Sequence, residues 1–274
     1  MFSAVTANVN GIRAAVRRGG IAALGAADAD VICLQEVRAS DEQLTTALLG
    51  SPFSDWQVAH APSAAAGRSG VAILSRGPLT KVRVGVGPDE FAESGRWLEA
   101  SLKSSLGAVR VVSVYVHTGE AETPRQEEKY RFLDAMSERL RQLARNATRT
   151  ESHVLVCGDL NIAHTEHDIK NWRGNIGKAG FLPAERDYLN GWTSRSWVDL
   201  GRAHAGDRPG PYSWWSWRGQ AFDNDTGWRI DYALATPRLA ATLASVEVGR
   251  AASYAERWSD HASVQLTFDV SGRP

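Results

Sequence analysis

The chain of 274 residues contains only two cysteines, Cys33 and Cys157, and each lies inside an apolar, strand-like run. That excludes a disulfide framework, predicts two buried free thiols and fits a reducing cytoplasm. No apolar run approaches the ~20 residues needed to cross a bilayer. The opening Met1-Phe2-Ser3-Ala4-Val5-Thr6-Ala7-Asn8 has neither a positive n-region nor a long h-region. Neither a membrane partner nor a secretion signal is therefore expected, and these residues read as the first strand. Net charge is also missing, because 31 Lys and Arg balance 31 Asp and Glu. Any affinity for a polyanion must come from local basic clusters. The chain has no repeat, no low-complexity tract and no linker long enough to divide it, so a single domain over 1–274 is expected. Tryptophan is what it has in excess, with 10 in all. Trp214, Trp215, Trp217 and Trp228 fall in a Gly/Asp/Asn-rich segment that reads as loop.

Strand-length apolar runs recur at 31–34, 71–74, 109–116, 154–157, 230–235 and 262–270. Helical patterns lie between them. The clearest is 123–144, with Pro124 at its first position and an apolar stripe of Tyr130, Leu133, Met136, Leu140 and Leu143. Others are 41–49, capped by Ser40, and 183–190. Residues 61–67 read as a loop. Strands mixed with helices and hairpin-like pairs predict a mixed α/β sheet domain.

The chemistry gathers at strand ends. Gly158-Asp159-Leu160-Asn161 follows the run His153–Cys157, and the glycine reads as the end of that strand, where backbone approaches something closely. Asp159 and Asn161, two residues apart, then project from one side of an extended chain. In open α/β sheets ligands bind at such carboxyl ends, although the stretch alone also suits an Asx-type capping turn. The other runs decide between the two. Asn8 and Asn10 follow the first strand, Glu36 follows the second, Asp231 sits at the run 230–235, and Ser259-Asp260-His261 precedes the last. A carboxylate beside an apolar run is expensive to bury unless paired or bound to metal, so several of them on strands of one sheet system point to a shared site. Carboxylate and amide oxygens without paired thiolates suit a hard cation such as Mg²⁺ or Mn²⁺, and no Cys/His spacing suits zinc. Asp231 is a candidate to orient His261 as an imidazolium, which would stabilise a phosphoryl oxygen.

The motifs Asn8-Val9-Asn10-Gly11-Ile12-Arg13, Leu34-Gln35-Glu36, Val114-Tyr115, Gly158-Asp159-Leu160-Asn161, Trp228-Arg229-Ile230-Asp231-Tyr232 and Ser259-Asp260-His261 occur in that order from first strand to last. Together they resemble the exonuclease III family of apurinic/apyrimidinic endonucleases, in the endonuclease/exonuclease/phosphatase superfamily. The segment 210–232, rich in tryptophan, is similar to the DNA-repair branch. The segment 168–181 is similar to a loop that borders DNA; its basic and amide side chains can reach phosphates, and its glycines permit close backbone approach.

The resemblance implies a four-layer α/β sandwich of two packed mixed β-sheets flanked by helices. It implies Mg²⁺-dependent hydrolysis, with Mn²⁺ as substitute, of the phosphodiester 5′ to an abasic site. A 3′→5′ exonuclease and 3′-end trimming activity would accompany it in base excision repair. Double-stranded DNA with abasic sites or blocked 3′ ends is the partner so implied, and nothing suggests more than a monomer. Matched residue by residue, Glu36 is the principal metal ligand, with Asn10, Asn8, Asp260, Asp159 and Asn161 around it. Asp159 is the general base, Asn161 and Asn8 hold water and phosphate, and Tyr115 and His261 bind the scissile phosphate with Asp231 behind His261. Lys170, Asn171, Arg173, Lys178 and Arg218 are the implied DNA contacts. Trp214 and Trp228 would enclose the extruded sugar, since a small apolar aromatic pocket favours a deoxyribose without its base. His117-Thr118 departs from the pattern: many relatives carry Pro and then Asn or Gln there. Asn10 stands where some relatives have Asp.

Overall fold

In the computed structural model, which describes residues 1–269, the first apolar run forms β1 (Phe2–Asn8). Two short helices, α1 (Ile12–Arg17) and α2 (Gly20–Gly25), lead to β2 (Val31–Gln35) and α3 (Asp41–Leu48). Five strands follow: β3 (Gln57–Ala61), β4 (Val71–Ser75), β5 (Thr80–Val84), β6 (Trp97–Ser104) and β7 (Gly107–Tyr115). The long helix α4 (Pro124–Thr150) returns the chain to β8 (His153–Asp159). Then come α5 (Pro183–Thr193), β9 (Val198–Asp199), α6 (Leu200–Ala205), β10 (Asp231–Ala235), α7 (Pro237–Ala240), β11 (Leu243–Gly249) and β12 (Ser263–Phe268).

The strands form two six-stranded sheets, in the orders β11-β12-β1-β2-β4-β3 and β5-β6-β7-β8-β10-β9. Each sheet has one parallel pair, β1 with β2 and β7 with β8, and is otherwise antiparallel. Phe2, Cys33, Leu98, Val111, Leu155, Cys157 and Leu266 fill the space between the sheets. The opposite face of the second sheet, with Val112 and Val114, packs on Phe132, Leu133, Met136 and Leu140 of α4. Ile32 and Leu34 of the first sheet pack on Ile12, Ile21 and Leu44 of α1–α3. With both faces covered, the central strands are apolar at nearly every position. Each such side chain contributes about 1.5–3 kcal/mol by burial. The result is the four-layer sandwich expected, and both cysteines are buried and free.

This layering aligns the site. Gln35 donates through Nε2 to Ser113 Oγ at 3.0 Å, and Ser113 Oγ donates to Leu34 O at 2.9 Å, stitching the sheets together. The parallel pairs end at Asn8 beside Gln35 and at Tyr115 beside Asp159, while antiparallel β10 begins with Asp231 opposite Asp159.

Several expected boundaries shift. The glycine of Gly158-Asp159 does not end β8. The strand runs through it, and a Cβ there would fall 1.8 Å from Val114 O of β7. Close approach is the reason for the glycine, but the approach is strand to strand. Helix α4 continues past 144 because Ala147 is still buried, and it stops at Glu151, φ 50. Helix α5 extends to Thr193 because Trp192 is buried. Ser40 caps α3 in a reciprocal box with Gln43, both bonds 3.2 Å. The run at 262–270 forms a strand over Ser263–Phe268; Val270 lies outside the described residues. Ala61, expected in a loop, closes β3.

Candidate active site

Chain direction changes sharply where each motif leaves its strand. Asn10, Glu36 and Asn161 take left-handed backbone angles, φ 46, 50 and 49. Asparagine tolerates that region, but for glutamate it costs on the order of 1–2 kcal/mol. Contacts around Glu36 hold it there: Gly11 N–H donates to Glu36 O at 2.8 Å, and Val37 N–H to Gly70 O at 2.9 Å.

The turns at Glu36 and Asn161 open on one cavity of about 350 Å³, lined by these two and by Asp159, Asp260 and His261 together with Thr118, Gly180, Trp214 and Trp228; Asn10 does not line it. Fully buried Asn8 bridges two acids, its Nδ2 donating to Glu36 Oε1 and to Asp159 Oδ2, both at 2.9 Å. Its Oδ1 accepts from Asn10 N–H at 3.0 Å. Asn161 wraps Asp159 from the other side: its main-chain N–H donates to Oδ1 at 2.8 Å and its Nδ2 to Oδ2 at 3.0 Å. Thr118 Oγ1 donates to Asn161 Oδ1 at 3.1 Å. Asp260 accepts from Asn10 Nδ2 at 2.7 Å and from Trp214 Nε1 at 3.2 Å. His261 Nδ1 bonds Asp231 Oδ2 at 2.9 Å, leaving Nε2 3.8 Å from Asp159 Oδ2.

Negative charge is in excess. Burial, reinforced by Asp231 and Glu36, pushes the Asp159 carboxyl well above the usual carboxylate range, against His261 and the Asn161 N–H. Burial alone would lower His261, but the Asp231 carboxylate overrides it, with help from Asp159 and Asp260, and raises the imidazole to about 10. Asp260 is lowered in spite of burial, because His261, Asn10 and Trp214 favour its charged form. Tyr115 is raised by burial and by the charges of Glu36 and Asp159, so it remains a neutral phenol donor. Glu36, Asp159 and His261 each bring a ligand atom within 4.8 Å of the others. Two of these three ligands are carboxylates, and the Asn161 amide lines the same cavity. That donor set and that surplus charge fit a hard divalent cation. Arg38, partly exposed, pairs with Glu36 Oε2.

Beside the acids stands an aromatic wall: Trp214 and Trp228 meet edge to face at 6.2 Å and 90°. Trp215 is core, whereas Trp217 is half-buried between the guanidinium groups of Arg18 and Arg257. Lys170, Asn171, Arg173 and Lys178 are exposed on the loop that enters the cavity at Ala179 and Gly180. Arg218 is exposed on the separate loop after Trp217 and does not line the cavity. His117 is buried away from it, pushed down to about 4 by burial and by Arg96.

The structure gives roles to residues to which the sequence reading assigned none. Ser213 Oγ accepts from the backbone N–H groups of Ile230 and Asp231, at 3.2 and 3.1 Å. Ser259 Oγ donates to Asn8 O at 2.8 Å. Lys129 Nζ donates to Asn161 O at 2.9 Å. Lys129 was readable in principle, since its spacing to Leu133, Met136 and Leu140 puts a lysine on an apolar helix face.

Comparison with known proteins agrees with this geometry. A sequence profile described as the Endonuclease/Exonuclease/phosphatase family matches residues 5–261. The chain is 31% identical over 264 residues to the exodeoxyribonuclease of Bacillus subtilis (strain 168), an alignment covering 96% of this chain and 98% of the other. It superposes on an AP endonuclease from Archaeoglobus fulgidus with a TM-score of 0.85 at 25% identity, covering 98% of this chain and 100% of that one. It superposes equally fully on the 3′ phosphatase NExo from Neisseria, solved with a product DNA hairpin, with a TM-score of 0.84 at 28% identity.

Proposed function

The chain belongs to the endonuclease/exonuclease/phosphatase family, and on that premise we propose that it is a metal-dependent DNA-repair phosphodiesterase. It incises 5′ to abasic sites and has 3′→5′ exonuclease and 3′-end trimming activity. One observation carries this reading: a cluster of buried acids and amides suited to phosphodiester hydrolysis shares its cavity with the right-angled Trp214–Trp228 wall. The acids alone suit many phosphate esters, whereas the aromatic wall suits a sugar that has lost its base.

In this mechanism Glu36 would be the principal ligand of Mg²⁺ or Mn²⁺, with Asn10, Asn8, Asp260, Asp159 and Asn161 around it. The bound cation supplies charge neutralisation for the non-bridging phosphate oxygens. Asp159, held by Asn8 and Asn161, orients a water and takes its proton as the water oxygen attacks phosphorus. His261, kept as imidazolium by Asp231, donates to a phosphate oxygen, and so does the neutral phenol of Tyr115. The bond to the 3′ oxygen of the preceding nucleotide breaks, and that oxygen takes a proton from solvent water to leave a 3′-hydroxyl. The same groups meet a phosphate monoester at a 3′ end, which accounts for 3′-end trimming. Lys170, Asn171, Arg173, Lys178 and Arg218 contact the duplex backbone around the extruded sugar.

A synthetic abasic duplex tests this directly. Cleavage 5′ to the site, abolished by chelation and restored by Mg²⁺ or Mn²⁺, with a 3′-hydroxyl on the upstream product, is expected. Intact abasic duplex alongside turnover of inositol phosphates would overturn the reading.

A further inference from the structure

Beneath the cavity, α4 and α5 contribute a lysine and a glutamate that no step of the proposed mechanism uses. Lys129 and Glu185 are both fully buried, with Nζ 2.6 Å from Oε1. Such a pair repays its desolvation only when the remaining donors and acceptors also find partners. Here those partners include backbone groups of two residues that line the cavity, Asn161 and Gly180. Lys129 Nζ donates to Asn161 O at 2.9 Å. Glu185 Oε2 accepts from the N–H of Gly180 at 2.6 Å and of Leu182 at 3.1 Å, and Gln126 Nε2 donates to Oε1 at 3.1 Å. The two anchored segments also touch. Gly180, φ 87, has no side chain to hold off the Trp228 ring; a Cβ there would come within 2.9 Å of that ring and 3.2 Å of Asn161 O. Asn161, in turn, holds a left-handed turn in which both of its nitrogens reach Asp159.

We propose that Lys129 and Glu185 are positioning residues for the active site. Lys129 fixes the Asn161 turn against Asp159, and Glu185 fixes Gly180 against Trp228. The water-holding side of the cavity and its aromatic wall therefore share one buried anchor. This rests on the reading of the cavity as a phosphodiesterase site. A pair that served folding alone would affect stability and leave turnover per folded molecule untouched.

The test compares the wild type with Lys129→Met, Glu185→Gln and Glu99→Gln. Glu99 is the control, a buried carboxylate held by Arg110 and Arg139 that does not line the cavity. For each protein, kcat and KM on abasic duplex are measured well below Tm and normalised to folded protein. In parallel, ¹⁵N NMR follows the Asn161 side-chain amide and hydrogen exchange at the Gly180 N–H. Lys129→Met and Glu185→Gln are expected to lower kcat about 10- to 100-fold, with smaller changes in KM. Lys129→Met should shift the Asn161 amide signals and Glu185→Gln should speed exchange at Gly180. Glu99→Gln should lower Tm and leave kcat and both signals unchanged. Wild-type kcat together with unshifted signals in the folded Lys129 and Glu185 variants would overturn the proposal. Should Lys129→Met fail to fold, the near-isosteric Glu185→Gln decides on the same readouts. A wild type that cuts no abasic DNA overturns the functional reading instead. The NMR signals then decide the positioning claim: shifts support it and their absence refutes it.

Discussion

At the scale of single residues, the site is a set of polar side chains whose buried positions make sense only together. Asp231 is an example. One oxygen holds His261, the other has no hydrogen-bond partner among the described residues, and its backbone N–H is caught by Ser213. Asp231→Asn keeps the bond to Nδ1 but removes the charge that overcomes the cost of a buried imidazolium. It should lower kcat on abasic duplex about 10- to 100-fold with little change in DNA affinity, read from steady-state kinetics beside a binding titration. Asp231, Asp159, Asn161, Glu36 and His261 were legible in the sequence because each is polar at the end of an apolar run. Glu185 was not, since a glutamate in the first turn of a helix is ordinary and only the fold shows Lys129 opposite it. Thr118 was legible as a departure from the family pattern, while its bond to Asn161 appears only when β7 and β8 are paired.

At the scale of elements, the loop carrying the basic residues is fastened by ions. Asp168 is fully buried and paired with Arg202 and Arg229, and Arg229 also reaches Asp199 at 2.7 Å. These contacts join the loop before Lys170 to α6 and to the segment leading into β10. Burial by itself would raise the Asp168 carboxyl, but the two guanidinium groups outweigh it and hold the group well below the usual carboxylate range. Its folded-state value is thus depressed. The stabilisation it gives is complete above the unfolded value of about 3.9 and is lost as pH falls toward the folded one. Asp168→Asn should cost about 3–5 kcal/mol at neutral pH. Denaturant curves for wild type and variant should draw together only below about pH 4. Elements buried on both sides, such as β2, β4 and β8, could be read from their apolar runs. Strands β5 and β11 could not, because β5 is exposed throughout and β11 is polar at alternate positions. Helix ends moved wherever a single buried residue, Ala147 or Trp192, prolonged a helix whose neighbouring residues were polar.

At the scale of the whole molecule, a chain with no net charge must bind a polyanion through a few local contacts. If Lys170, Arg173, Lys178 and Arg218 are those contacts, log K for duplex DNA should fall with log salt at a slope of roughly −3 to −4. Each Ala replacement should bring the slope toward zero by about one; a salt-independent affinity would remove these residues from the interface. The sandwich itself was legible through six ordered motifs, because the fold brings the ends of parallel and antiparallel strands from both sheets to one edge. The pairing of those sheets through Ser113 and Gln35 lay beyond sequence reading, since neither residue differs in kind from a surface polar group. In the proposed mechanism Asp159 activates water in a cavity suited to an abasic sugar. The most direct measurement is the single-turnover rate of incision of an abasic duplex in saturating Mg²⁺ by wild type and Asp159→Asn, with DNA affinity determined in parallel. A rate lower by about 10²- to 10⁴-fold at near wild-type affinity is predicted; incision by the variant at the wild-type rate would contradict it.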